Sequence, residues 1–126
     1  MGKHGYTHGD FGWTELSTTN AAEALDFYSK LLDLEIKGEP MPGYHVVGRG
    51  SEMLAGITDL QKGDSTPRWM PYITVDDLDA TLARVDQLNG SVCLAPTALP
   101  DDGGRIAIIK DPHGIMTGLA EYSKKS

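Results

Sequence analysis

Asn20-Ala21-Ala22-Glu23-Ala24-Leu25-Asp26-Phe27-Tyr28 has a counterpart later in the chain, Asp77-Leu78-Asp79-Ala80-Thr81-Leu82-Ala83-Arg84-Val85. Each stretch opens on a residue whose side-chain oxygen can cap a helix, and each then places apolar residues at helical spacing. In the first, Glu23 stands three residues after Asn20 as in a capping box, and Ala24, Leu25, Tyr28, Leu31 and Leu32 predict an amphipathic helix over 21–32. In the second, Asp76-Asp77 supplies the acidic start, Leu78, Leu82, Val85 and Leu88 the apolar face, and Asn89-Gly90 the stop.

Outward from these helices the order of elements also repeats. Phe11–Thr19 alternates as a half-buried strand, with Trp13, Glu15 and Ser17 on one face and Thr14, Leu16 and Thr18 on the other. After the first helix, 34–37, 44–47 and 53–58 read as short strands between Gly and Pro turns. In the second half 69–75 precedes the helix, and 92–94, 105–110 and 115–120 follow it, the last two joined by Asp111-Pro112-His113-Gly114. Laying the halves together pairs Trp13 with Met70, Glu15 with Tyr72, Ser17 with Thr74, Gly43-Tyr44 with Gly104-Arg105, and Ala55-Gly56-Ile57 with Thr117-Gly118-Leu119. The expected organisation is a mobile lead-in over 1–10, a first βαβββ module over 11–60, a polar connector over 61–67, a second module over 68–122 and a short tail over 123–126.

Composition narrows the function classes. A chain of 126 residues with 40% hydrophobic and 23% charged content suits one globular domain. The net charge of −7 argues against a nucleic-acid surface, which needs a basic stripe, and Lys124-Lys125 reads as a solvated tail. No apolar run reaches the roughly twenty residues needed to span a bilayer, and the first residues lack the apolar core of a signal peptide. With one cysteine, Cys93, no internal disulfide can form, and a cytoplasmic location is expected.

Several stretches taken in order resemble the vicinal-oxygen-chelate superfamily, the glyoxalase/bleomycin-resistance/dioxygenase group. They are Trp13-Thr14-Glu15-Leu16-Ser17-Thr18, the helix with Phe27-Tyr28 and Leu31-Leu32, Pro71-Tyr72-Ile73-Thr74-Val75-Asp76-Asp77, and Gly104-Arg105-Ile106-Ala107 running into Asp111-Pro112-His113-Gly114. The resemblance is to a branch often labelled as hydroxylases and extends from Phe11 to Tyr122. It implies an α+β fold in which two modules form a curved eight-stranded mixed sheet around a cup, with the helices outside. In the superfamily the cup commonly holds a divalent metal, which acts as a Lewis acid on a substrate with two neighbouring oxygens. The resemblance places those metal-ligand positions on Trp13, Gly56, Met70 and Gly118. An indole offers no lone pair, glycine has no side chain, and a thioether suits soft metals, so no metal site is expected here.

Three readings of function stay open at this point. A metal-free small-molecule binder would line its cup with Trp13, Glu15, Gly56, Met70, Tyr72 and Gly118, with Arg105 available for an anionic group. An enzyme of the lyase, isomerase or dioxygenase kind would use Glu15 as base, with a divalent metal as its alternative cofactor. An interaction module would have its cup filled by its own side chains. Gly56 and Gly118 are read as leaving room for a ligand, Arg105 alternatively as an ion-pair partner of a carboxylate, and Cys93 as a buried, inert thiol. His4 and His8 fall in the mobile lead-in and His113 in an exposed turn. A homodimer is expected, since long edge strands are a liability unless covered.

Overall fold

The structure, a computed structural model, describes residues 5–60 and 66–123. His4, most of the connector and Lys124-Lys125 lie outside these residues. The chain divides into two compact units, Trp13–Met70 and Pro71–Ser126 with Met1–Gly12. The class is α+β: the described residues form eight strands, in both parallel and antiparallel pairs, and two α-helices.

The first βαβββ succession is β1 (Phe11–Thr18), α1 (Ala21–Leu32), β2 (Glu35–Met41), β3 (Tyr44–Arg49) and β4 (Glu52–Asp59). Its strands lie in the order β2-β3-β4-β1, β1 running parallel to β4. Helix α1 begins where the capping pattern places it, with the Asn20 side chain accepting the Glu23 N–H at 3.0 Å. It ends at Asp33, which adopts the left-handed conformation at φ 54°. Leu16, Ala21, Val47 and Ile57 form the core, with Ala24, Leu25, Tyr28, Leu34 and Ala55 packed on it.

The second succession is β5 (Arg68–Thr74), α2 (Leu78–Ala83), β6 (Ser91–Ala98), β7 (Gly104–Lys110) and β8 (Met116–Tyr122), in the order β5-β8-β7-β6. Its core joins Val75, Leu78, Ala107 and Leu119 to Ile73, Leu82 and Ile109. Helix α2 is shorter than its apolar spacing predicts. At Arg84 and Val85 the bonds reach back three residues, Arg84 N–H to Thr81 O and Val85 N–H to Leu82 O, and a 3₁₀ turn at Asp86–Leu88 completes the segment. That tightening leaves Leu88 60% exposed. The expected stop holds, with Asn89 left-handed at φ 67°.

Both helices receive a second acceptor from the last strand of their own succession. Asp59 Oδ1 accepts the Ala21 N–H at 2.8 Å, and Glu121 Oε2 accepts the Leu78 N–H at 2.9 Å. Two orphan N–H groups at each helix start are thus met by a local cap and a strand carboxylate. Asp59 and Glu121 each stand three residues after a matched glycine, Gly56 and Gly118, so the internal repeat extends to this device.

Residues 5–12, read from the sequence as the lead-in and the start of β1, make a set of hydrogen bonds within their own unit. The Gly5 and Thr7 N–H groups both donate to Asp10 Oδ2, at 3.0 and 3.2 Å. Gly9 N–H donates to Thr74 O, Thr74 N–H to Asp10 O, and the Thr74 hydroxyl to Gly5 O. His8 Nδ1 accepts the Asp76 N–H at 3.1 Å, and Tyr6 meets Tyr122 edge-to-face at 5.0 Å. A methyl group on Gly12 would stand 2.5 Å from Gly5 O, so this close approach needs glycine. No helix among the described residues is long and apolar enough to cross a membrane.

The turn after β7 is closed by one carboxylate. Asp111 Oδ1 accepts the N–H groups of His113 at 2.8 Å and Ile115 at 3.0 Å. The Ile115 bond, then the His113 bond, hold the Asp111 carboxyl below its ordinary pKa. A lowered folded value means stability that is present above the unfolded pKa of about 4 and lost as pH falls through the folded one. Between pH 5 and pH 2 the wild type should therefore lose more melting temperature than Asp111→Asn, whose amide oxygen accepts but does not titrate. Parallel pH curves would refute this origin.

Candidate functional site

The two cores fix which face of each sheet meets its helix, and alternation along a strand then fixes the other face. In the first unit, Leu16, Val47, Ala55 and Ile57 pack towards α1. Trp13 and Glu15 of β1, Tyr44 and Val46 of β3, and Gly56 and Thr58 of β4 therefore occupy the helix-free face. Glu15 is paired in register with Gly56, and Val46 with Gly56 from the other side. Trp13 Nε1–H donates to the Tyr44 hydroxyl oxygen at 2.8 Å. The Tyr44 ring lies directly over Gly56, where an added methyl would stand 2.1 Å from the phenol oxygen and 2.3 Å from Cζ.

The second unit repeats the theme with a different donor strand. Tyr72 is paired with Gly118, and its ring covers that glycine, so that an added methyl would stand 2.3 Å from Cδ2 and 2.6 Å from Cγ. Tyr72 is only 6% exposed. The expectation that Gly56 and Gly118 leave room for a ligand is therefore corrected: each notch is filled by a tyrosine ring of its own unit. Glycine is needed there because the ring takes the volume a side chain would use. Met70 is buried, at 1% exposure.

Arg105 is on the other face. It pairs with Glu121 across β7 and β8, and its guanidinium meets Asp79 of α2 at 3.0 Å and Glu121 at 3.2 Å. Asp79, then Glu121, raise its pKa and keep it charged. It ties α2 to β8 beside the Glu121 cap. The cause of the misplacement is a slip of one residue. Tyr44 pairs with Thr58 and Ile106 pairs with Ala120, so the counterpart of Tyr44 is Ile106, one position beyond Arg105. A slip of one residue in a strand exchanges its two faces. The same slip hid Tyr44, the functional candidate that sequence reasoning missed; the spacing from Gly56 back to the turn at Gly43 was the signal available.

The histidines and the thiol take lesser places. His45 pairs with Ile57 on the helix-bearing face. His113 belongs to the exposed turn, and Cys93 is exposed on β6 instead of buried, because β6 is an edge strand with all eight residues exposed. Two open depressions, of about 260 and 380 Å³, adjoin α2 and α1 and take none of the candidate residues into their walls.

The matched family description, glyoxalase/bleomycin resistance protein/dioxygenase superfamily, covers residues 10–119. The chain belongs to this superfamily. It is 33% identical over 126 residues to a candidate glyoxylase, CFP32, of Mycobacterium tuberculosis, covering 94% of this chain and 48% of that protein. It is 38% identical over 119 residues to the anthracycline biosynthesis protein DnrV of Streptomyces peucetius, covering 90% of this chain and 42% of that protein. The chain thus spans a little under half the length of these relatives. A superfamily member from Vibrio splendidus 12B01 has the same fold, with a TM-score of 0.64 at 15% identity, over 86% of this chain and 95% of that one.

The metal common in this superfamily can be tested against the residues at its positions. Trp13 Nε1 is a donor already directed at Tyr44, the two glycine notches hold tyrosine rings, and Met70 offers only a thioether. Among the described residues no three His, Cys, Asp or Glu side chains are grouped to hold a metal ion. These residues do not fit a divalent metal. What they offer instead is an aromatic surface, indole hydrogen-bonded to phenol, with a carboxylate paired to the glycine beneath it.

Proposed function

We propose that this protein binds a planar, oxygen-bearing small molecule without a metal, using the helix-free face of its first unit. The observation that carries this reading is the Trp13–Tyr44 hydrogen bond of 2.8 Å, which holds two aromatic rings beside Gly56 and Glu15. Rings fixed before binding lose little freedom when a flat ligand stacks on them, and a carboxylate can accept from its hydroxyl groups. Two relatives named for anthracycline biosynthesis, DnrV and DauV, favour an aromatic polycycle as the ligand class. A cytoplasmic location suits the exposed Cys93 thiol, which would stay reduced there, and the net charge of −7 argues against a nucleic-acid partner.

Titrating the full chain with a water-soluble anthraquinone, followed by tryptophan fluorescence, tests the reading. Saturable quenching is expected, weakened at least tenfold by Tyr44→Ala and lost from the Trp13→Phe signal. Quenching unchanged by both substitutions would place the ligand elsewhere, and no saturable quenching by any flat aromatic would favour an interaction module. Glu15 also suits a general base, so Glu15→Gln separates binder from enzyme. A binder changes only in affinity, whereas an enzyme using this carboxylate loses turnover by a factor of about 10²–10⁴.

A further inference from the structure

The stop after α2 joins two residues whose choice the fold restricts. Asn89 lies in the left-handed region at φ 67° and ψ 22°, which asparagine enters more readily than most residues with a side chain. Glycine must follow it, because a methyl group at Gly90 would stand 2.7 Å from Lys110 O on β7 and 3.0 Å from Cγ1 of Val85. The stop therefore favours Asn-Gly, a pair in which the labile asparagine amide is least shielded from the backbone nitrogen that follows it. The folded chain withholds that nitrogen. Gly90 N–H donates to Val85 O at 3.0 Å, Asn89 N–H donates to Asp86 O at 3.1 Å, and at ψ 22° the Gly90 nitrogen points away from the Asn89 side chain.

We infer that Asn89 is a one-way modification site, deamidated only when the short segment after α2 opens. Opening there disturbs little of the core. Asp86–Leu88 is a 3₁₀ turn without a buried residue, Asn89 is exposed, and the bonds at Asn89 and Gly90 tie the segment only to its own carbonyls. In the opened segment the Gly90 nitrogen attacks Asn89 Cγ. A Cγ–N bond forms, and the side-chain nitrogen leaves as ammonia with the proton from Gly90 N–H. Water then opens the five-membered ring. Cleavage at Cγ leaves aspartate, and cleavage at the Asn89 backbone carbonyl leaves isoaspartate, whose chain runs through Cβ and Cγ. Either product adds a negative charge to a chain already at −7. The extra main-chain carbon of isoaspartate moves Gly90 N–H out of register with Val85 O, so the stop cannot re-form. Asn20 is an internal control. Ala21 follows it with a methyl group, its Oδ1 accepts the Glu23 N–H, and its Nδ2 donates to Glu23 Oε2.

Peptide mass spectrometry of the full chain, held at mildly alkaline pH in buffer and in urea, tests this inference. A gain of one dalton should appear at Asn89 at least tenfold faster in urea than in buffer, and Asn20 should stay unchanged over the same period. Gln87→Gly alters an exposed residue of the turn. It should speed the reaction in buffer about two- to fivefold by loosening the segment, and leave the rate in urea as it was. The isoaspartyl fraction should melt below Asn89→Asp, which carries the same charge without the extra carbon. Equal rates in buffer and urea, or an unchanged rate for Gln87→Gly in buffer, would overturn the gating. An Asn89 that does not react in urea would overturn the site, and an isoaspartyl fraction that melts with Asn89→Asp would overturn the loss of the stop.

Discussion

Alanine at position 118 is expected to destabilise the protein by about 1–3 kcal/mol, an overpacking cost, although it adds only one methyl group. The new carbon would stand 2.3 Å from Cδ2 of Tyr72 and 2.6 Å from its Cγ. Contact with Cγ means that turning the ring about its own axis cannot clear the clash. The side chain must change its first dihedral angle or the strands must part, and Tyr72 is 6% exposed with little space to enter. Gly56→Ala should cost less. There the nearest atoms are the phenol oxygen and Cζ of Tyr44, the far end of a half-buried side chain that can swing aside on losing its bond to Trp13. Thermal unfolding of both variants, and of Gly118→Ala combined with Tyr72→Ala, checks the explanation. The double variant should lose less than the sum of the single losses, since removing the ring makes room for the methyl. Additive losses, or a neutral Gly118→Ala, would mean that the ring does not occupy the notch.

Leu78→Ala should lower stability by about 2–5 kcal/mol, which in a chain of this size moves the melting temperature by roughly ten degrees or more. Leu78 is the first residue of α2, is 0% exposed, and packs with Val75, Ala107 and Leu119. Its backbone N–H is held by Glu121, so the turn cannot readily shift to fill the cavity. Leu88 shares the same apolar spacing in the sequence but is 60% exposed after the 3₁₀ turn. Leu88→Ala should therefore change stability by no more than about 0.5 kcal/mol. Denaturant midpoints for the two variants decide the matter, and equal losses would imply that α2 continues as one regular helix to Leu88.

The sequence carried the order of elements, helix α1 from its Asn20 cap to Leu32, and the correspondence of Glu15 with Tyr72 and of Gly56 with Gly118 between the two halves. Each of these rests on local signals: a capping side chain, a helical period, or alternation along a strand. What it concealed depends on register and on non-local contact. The match of Tyr44 to Arg105 was one residue out, which moved Arg105 to the wrong face and left the Trp13–Tyr44 pair unseen. Glycine at a ligand position reads as space, and only the fold shows that rings from Tyr44 and Tyr72 take it. Cys93 resembled a core residue by its strand neighbours, yet exposure of β6 follows from its place at an edge. The glycines before Phe11 suggested mobility, whereas Asp10 organises residues 5–10 through bonds that close onto Thr74 and Asp76.

Because residues 5–10 are bonded to β5 and to the turn after it, the full chain is the protein to use in the decisive measurement. Its melting temperature would be compared in chelator and in each common divalent metal. An aromatic, metal-independent site leaves the midpoint unchanged on going from chelator to metal. A site filled at a hundred times its dissociation constant adds about 2.7 kcal/mol, enough to raise the midpoint by roughly ten degrees. A rise of that size would contradict the metal-free reading and place Glu15 among the ligands to be tested first.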